Sequence, residues 1–172
     1  MKIKDRTKEL RRVKASELYA SPHNWRTHPK EQQDALIGIL AEIGYADAII
    51  ARELPSGELE IVDGHLRAET TPDVEVPVLI LDTNEDEAKK LLTVLDPLAA
   101  MAEANKDALG QLLMEIDTES DAVRAMLDAL AEQEGIESPN FSPVDDDEVL
   151  TRLDEKNVNV IACPNCGHEF ET

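Results

Sequence analysis

Aromatic side chains are scarce in this 172-residue chain: two Phe, two Tyr and one Trp make up 3% of it. Its core cannot be built around rings, so aliphatic residues and alanine must fill it, within a hydrophobic content of 42% that is ordinary for a globular protein. No apolar run approaches the roughly 20 residues that cross a bilayer. Met1-Lys-Ile-Lys-Asp-Arg-Thr-Lys8 leads into no apolar signal segment. A cytoplasmic protein with no membrane partner is therefore expected. Cysteine occurs only twice, at Cys163 and Cys166, too few for a disulfide framework. Positive charge is also short, with 17 Lys and Arg against 37 Asp and Glu and a net charge of −20. Such a chain is repelled by bulk DNA, whose affinity for proteins rests on cations meeting phosphates.

The charge is unevenly spread. Residues 1–30 carry a net +6, residues 31–102 a net −12 and residues 103–172 a net −14. Any direct DNA contact is therefore expected through the basic N-terminal face.

The apolar pattern predicts both strands and helices. Arg12–Leu18 alternates as a first short strand, and the turn-rich loop Ser21-Pro-His-Asn-Trp-Arg-Thr-His-Pro29 follows. Leu36, Ile39, Leu40 and Ile43 fall on one helical stripe, with Pro29 suited to its first turn and Gly44 to its stop. Asp47–Leu54 and Glu58–Val62 form a hairpin about Pro55-Ser-Gly57. Val74–Leu81 is another strand, its Pro77 pointing to an edge or a strand start. Glu85 to about Ala102 is helical in pattern, interrupted at Asp96-Pro97. Two amphipathic helices follow, one capped by Asn105 and one opened by a Thr118/Asp121 capping box. They are expected to pack as an α-hairpin on the domain or on a second subunit. The expected organisation is a domain at 10–95, a helical extension at 96–135, an acidic linker at 136–157 and a small zinc-knuckle-like tail at 158–172. No internal repeat is present.

One corner gathers chemistry: Ile61-Val-Asp-Gly-His-Leu-Arg-Ala-Glu-Thr70. A strand feeding a helix leaves unpaired N–H groups that favour an anion. Gly64 allows close approach or a positive φ. Arg67 can grip phosphate oxygens, Asp63 can hold a metal or accept a proton, and His65 can donate to an oxyanion or serve as acid/base. The same residues also fit a plain turn with Arg67 paired to Asp63 or Glu69. In the preceding loop Arg26 would supply the second cation that a bound anion needs. Trp25 fits either a packing anchor or a stacking platform, and His28 a helix cap.

The order of these elements, with Asn24, Arg26, His28 and Pro29 as N-x-R-x-H-P and Gly64, His65 and Arg67 as G-H-x-R, resembles the ParB N-terminal domain of the ParB/sulfiredoxin superfamily. The resemblance covers residues 10–95 and implies an α+β fold, a mixed sheet with flanking helices. It is closest to phage and prophage versions often found with DNA methyltransferases, and Leu95–Asn105 resembles the helical extension that they carry. It implies a nucleotide pocket in which Gly64, His65 and Arg67 line the phosphates of a nucleoside triphosphate such as CTP, with Asn24 and Arg26 completing it. Leu66 stands where the partition-type proteins have the first arginine of G-x-R-R, so the charge for a triphosphate is reduced. His65 stands where sulfiredoxins have their nucleophilic cysteine, which excludes their chemistry. The serine-kinase motif D-G-x-H-R of the superfamily is matched at Asp63, Gly64 and Arg67, with the histidine one place early.

At the C-terminus, Cys163-Pro-Asn-Cys-Gly-His168 has the spacing with which two thiolates grip Zn2+. His168 can be a third ligand, or two chains can pool their cysteines into a dimer clasp. A degenerate knuckle and a redox pair are the other readings.

Three functions follow as expectations. The first is a nucleotide-binding accessory protein in DNA transactions of a phage or mobile element, acting as a homodimer. The second is an enzyme, a nucleotide hydrolase, nuclease or phosphotransferase, with Asp63 holding Mg2+ and His65 as acid/base. The third is an adaptor whose acidic tail binds a DNA methyltransferase or another protein. Residues 103–135 supply two acidic helices where chromosomal partition proteins carry a helix-turn-helix, which argues against chromosome segregation.

Overall fold

The computed structural model describes residues 3–136, and the backbone alone of residues 160–162 and 169–171. The backbone falls into two compact units, Met1–Pro139 and Asn140–Thr172. In the second, β6 (Val160–Ala162) pairs antiparallel with β7 (Glu169–Glu171). Cys163, Cys166 and His168, together with the acidic segment before them, lie outside the described residues.

The first unit is built on a mixed five-stranded sheet with strand order β1-β5-β3-β4-β2. Strand β1 (Thr7–Lys14) pairs antiparallel with β5 (Glu75–Leu81), and β5 runs parallel to β3 (Ile49–Glu53). Strand β4 (Leu59–Asp63) is the hairpin partner of β3, and the two-residue β2 (Leu18–Tyr19) runs parallel to it. The hairpin turns at Gly57, where φ is +89°. Alternate residues of β3, β4 and β5 point to one side, so Ile49, Ala51, Ile61, Val76, Val78 and Ile80 form the core with Ala15 and Ala68. Small and β-branched residues thus do the packing that the missing rings cannot.

Five helices complete the unit: α1 (Lys30–Glu42), α2 (His65–Thr70), α3 (Glu85–Ala100), α4 (Lys106–Glu115) and α5 (Asp121–Glu134). Helix α3 starts in a full capping box between Asn84 and Glu87. Arg6 clamps that start, donating to both Glu87 oxygens at 2.8 and 2.7 Å. Helix α3 crosses β4, α5 packs on α1, and α4 packs on α5.

Four expectations are corrected. The first strand begins at Thr7 rather than Arg12, because a basic edge strand exposes most of its side chains and shows no apolar alternation. Strand β5 is not an edge: it lies between β1 and β3, and Pro77 sits opposite Arg12, one residue before the β3 ladder opens at Val78. The missing N–H therefore falls outside that ladder. Helix α3 runs on through Pro97 to Ala100 without interruption. Finally, Ser120, not Thr118, caps α5, its side chain accepting from Val123 N. Thr118 instead donates its hydroxyl to Glu42 Oε1 at 2.7 Å, and the same oxygen accepts from Glu119 N and Ser120 N. These bonds, with Thr118 foremost, hold the Glu42 carboxyl below its ordinary pKa.

Helices α1 and α5 approach closely at Gly38. A Cβ there would lie 2.2 Å from Ser120 Oγ and 2.8 Å from Val123 Cγ2. Gly38→Ala should therefore destabilise the protein by about 1–3 kcal/mol through overpacking. It should do so although alanine favours an isolated helix by about 1 kcal/mol. Urea unfolding of the two proteins decides the sign.

Candidate functional site

The bend at residues 63–67 is set by one glycine. Strand β4 ends at Asp63, and Gly64 then takes φ +96°, ψ +24°, which turns the chain into α2. A Cβ on Gly64 would also stand 3.1 Å from Ile49 Cγ1 of the neighbouring strand. The left-handed backbone favours glycine, and the close approach leaves a side chain little room. Helix α2 has only six residues, so its dipole adds little and attraction for an anion must come from side chains.

Arg67 supplies it from inside the fold. Its side chain is 21% exposed, with Nη1 donating to Asp47 Oδ2 at 2.9 Å and to the Ala48 carbonyl at 3.1 Å. Nη2 lies 3.5 Å from Asp63 Oδ2. The Arg67 carbonyl accepts from Tyr45 Oη and Thr71 Oγ1, which fixes the backbone. Of its carboxylate partners, Asp47 is 76% exposed at the side chain, so water weakens that pairing and a competing anion can replace it.

Arg26 is the second cation. It pairs with Asp96 on α3 and lies over the Trp25 ring, 4.9 Å from the centroid. Trp25 is 59% exposed and donates Nε1 to the Leu92 carbonyl at 3.4 Å, so it lies over the surface rather than anchoring the core. Asn24 Oδ1 accepts from Arg26 N at 3.3 Å and shapes the loop from within. His28 contacts Gln32 at 3.0 Å near the start of α1.

His65 is only 6% exposed, and its Nε2 accepts from Ser21 N at 3.2 Å. That bond requires an unprotonated Nε2, hence a neutral ring with its proton on Nδ1. Burial pushes the imidazole below its usual pKa, against the raising pull of Glu69 and Asp63. Ser21 Oγ donates to Glu60 Oε1 at 2.9 Å. Glu60 Oε2 in turn accepts from Arg52 Nε at 2.6 Å and Nη2 at 2.5 Å, so a buried ion pair backs the serine.

These residues converge on two adjoining spaces. A polar space of about 20 Å³ is lined by Asn24, Arg26, Asp63, His65 and Asp96. An open cleft of about 490 Å³ is lined by Arg26, Asp63, Gly64, Arg67 and Asp96. Leu36 and Ile39 of α1 and Met126 of α5 give this cleft an apolar wall. Of the loop and corner residues singled out in the sequence, Arg26 and Asp63 line both spaces, Asn24 and His65 only the small one, and Gly64 and Arg67 only the cleft. Sequence reading missed Asp47, Asp96, Ser21, Glu60 and Met126, and only the helix-disfavoured Asp96-Pro97 dipeptide marked one of them.

A larger cleft of about 1040 Å³ lies at the opposite end of β3, lined by Arg6, Lys8 and Arg52 among others. Each of those cations is already paired, with Glu87, Glu53 and Glu60 respectively. Among the described residues, no three or more His, Cys, Asp or Glu side chains are placed to hold a metal ion, so the expected Mg2+ gains no support from the geometry. No helix among them is long and apolar enough to cross a membrane.

The neutral state of His65 gives a definite pH dependence. Its folded pKa is depressed, so its contribution is complete above about pH 6.5, the ordinary histidine value, and is lost as pH falls through the depressed value. Stability in urea should fall on going from pH 7.5 to 5.5, before carboxylates such as Glu42 begin to titrate. His65→Gln should shed that part of the slope; an unchanged slope would contradict the assignment.

No family model matches the sequence, and no curated protein matches it. Solved structures do. The chain is similar to the C-terminally truncated chromosome-partitioning protein ParB from Caulobacter crescentus complexed with CTP-γ-S, at 18% identity and a TM-score of 0.52 over 87% of this chain and 88% of that one. The same truncated protein complexed to the centromeric parS site matches at 17% identity and a TM-score of 0.43, over 84% of this chain and 78% of that one. The Pnob8-like ParB-N domain matches at 13% identity and a TM-score of 0.44; it covers 98% of this chain, which spans 59% of that one. The fold is that of the ParB N-terminal domain.

Proposed function

We propose that this chain is a ParB-like nucleotide-binding accessory protein in DNA transactions, with the phosphates held between the 63–67 bend and the Asn24–Arg26 loop. The observation that carries the proposal is the convergence of Arg26, Asp63, Gly64 and Arg67 on one open cleft with an apolar wall. The CTP-γ-S complex of the ParB structure that shares this fold supports a nucleotide as the ligand.

Phosphate oxygens would exchange with carboxylates. Arg26 gives up Asp96 and Arg67 gives up the exposed Asp47, so each guanidinium trades one anion for another without first being desolvated. Gly64, which carries no Cβ, lets the backbone come close to the phosphates. Leu36, Ile39 and Met126 receive the apolar part of the nucleoside. Two cations facing three carboxylates leave a triphosphate incompletely neutralised, so binding is weak and strengthens when a carboxylate is removed. Asp63 and Asp96 are carboxylates open to the cleft that can accept a proton from water; His65 Nε2 is already occupied by Ser21 N. The reading is therefore of a binding site first, with hydrolysis secondary.

The finer parts of the proposal have separate support. DNA contact is assigned to the basic strand β1, where Arg11, Arg12 and Lys14 are exposed. A homodimer is assigned to the apolar residues Leu98, Met101, Leu112 and Met114, exposed on α4 and at the end of α3. The phage setting and a methyltransferase partner follow from the sequence resemblance.

A titration with labelled CTP, ATP and GTP tests the core of the proposal. Arg67→Ala should weaken binding at least about tenfold, or 1.4 kcal/mol, whereas Asp96→Asn should strengthen it by freeing Arg26. If no nucleotide binds at millimolar concentration, the nucleotide role fails and the adaptor reading replaces it.

A further inference from the structure

The loop that carries Asn24 and Arg26 meets α3 through three side chains, the first being His23, 3.8 Å from Glu85. Toward its end, Arg26 is tied to Asp96 and Trp25 reaches the Leu92 carbonyl, so both tethers belong to α3. In the proposed function the phosphates take Arg26 from Asp96. The loop would then lose its ion pair to α3 at the moment when its position matters most. The bonds of Trp25 to Leu92 and of His28 to Gln32 and Gln33 remain, and at the head of the loop its first residue, Ser21, is held from beneath by buried groups.

Ser21 is buried, and every hydrogen-bonding group it has is used. Its N–H donates to His65 Nε2 at 3.2 Å, and its hydroxyl donates to Glu60 Oε1 at 2.9 Å while accepting from His23 N at 3.3 Å. Its carbonyl accepts from Asn24 N at 3.1 Å. The two side chains that hold it are themselves buried, and they sit on α2 and β4, the elements on either side of the bend. The Glu60 carboxylate is aimed by Arg52, which reaches across from β3. None of these four residues, Ser21, Arg52, Glu60 and His65, lines the open cleft.

We infer that Ser21, pinned between His65 and the Glu60–Arg52 pair, is a positioning residue: it sets the distance between the two cationic halves of the site. His65 thereby acts as an acceptor for a backbone amide rather than as a phosphate ligand or a proton carrier. The inference rests on the proposed nucleotide role, and it accounts for a histidine beside Gly64 whose ring turns away from the cleft.

The single tryptophan lies in this loop, so the inference can be read before any nucleotide is added. Ser21→Ala and His65→Leu should each raise acrylamide quenching of Trp25 and weaken CTP binding by about fivefold, the loss expected of one hydrogen bond. His65→Gln, which keeps an acceptor oxygen within reach of Ser21 N, should stay within about twofold of the unaltered protein on both measures. Far-UV circular dichroism identifies any variant that has failed to fold. For that case, amide exchange on the unaltered protein supplies the decision: Ser21 N–H should be protected, and should stay protected when CTP is bound. Unchanged quenching in folded Ser21→Ala, equal loss in His65→Gln and His65→Leu, or an unprotected Ser21 amide each overturns the inference. Absence of CTP binding to the unaltered protein would sink the nucleotide role instead, with the quenching and exchange results still deciding whether Ser21 holds the loop.

Discussion

Gly64 turns through a left-handed backbone conformation close against Ile49, where a Cβ would stand 3.1 Å from Ile49 Cγ1, and the site's geometry depends on that turn. Ile49 is a fully buried core residue on β3. The residues just before it, Asp47 and Ala48, hold the Arg67 guanidinium. The residues just after Gly64 form α2, which carries His65 inward and Arg67 toward the cleft. A side chain at this crossing would be strained by the positive φ and crowded by Ile49.

The electrostatics follow from the chain's excess of acid. Cations are few, and those at the site are each matched with a carboxylate drawn from another element. Pairings with exposed partners, such as Arg67 with Asp47, contribute little to stability and are open to exchange. The buried Arg52–Glu60 pair is of a different kind. Two charges out of water are costly to separate, so this pair fixes geometry instead of offering a place for a ligand. The protein thus uses arginine in two ways: exchangeable at the cleft, permanent beneath α3.

Much of the fold was legible in the sequence. The stripe Leu36, Ile39, Leu40, Ile43 and the stop at Gly44 located α1, and Pro55-Ser-Gly57 located the hairpin. The corner residues were found because a strand, a glycine and a helix start must be contiguous in the chain. Three of the misreadings share one cause. Strand β1 exposes nearly all its side chains, Pro77 is tolerated in an interior strand because the β3 ladder opens one residue later, and Thr118 gives up a cap to bond Glu42 on α1. Each outcome depends on a neighbour distant in sequence.

The same division holds at the site. By itself the sequence determined the backbone bend, the basic N-terminal segment and the candidate ligands Asn24, Arg26, Asp63, Gly64, His65 and Arg67, because φ preferences and residue chemistry are local properties. The sequence also named Asp63 as a partner of Arg67, but tertiary structure alone decided that Asp47 and Asp96 face the two arginines, that His65 turns inward to an amide of a loop 44 positions away, and that Leu36, Ile39 and Met126 wall the cleft. Those partners come from four different elements, and only packing of the helices against the sheet brings them within reach.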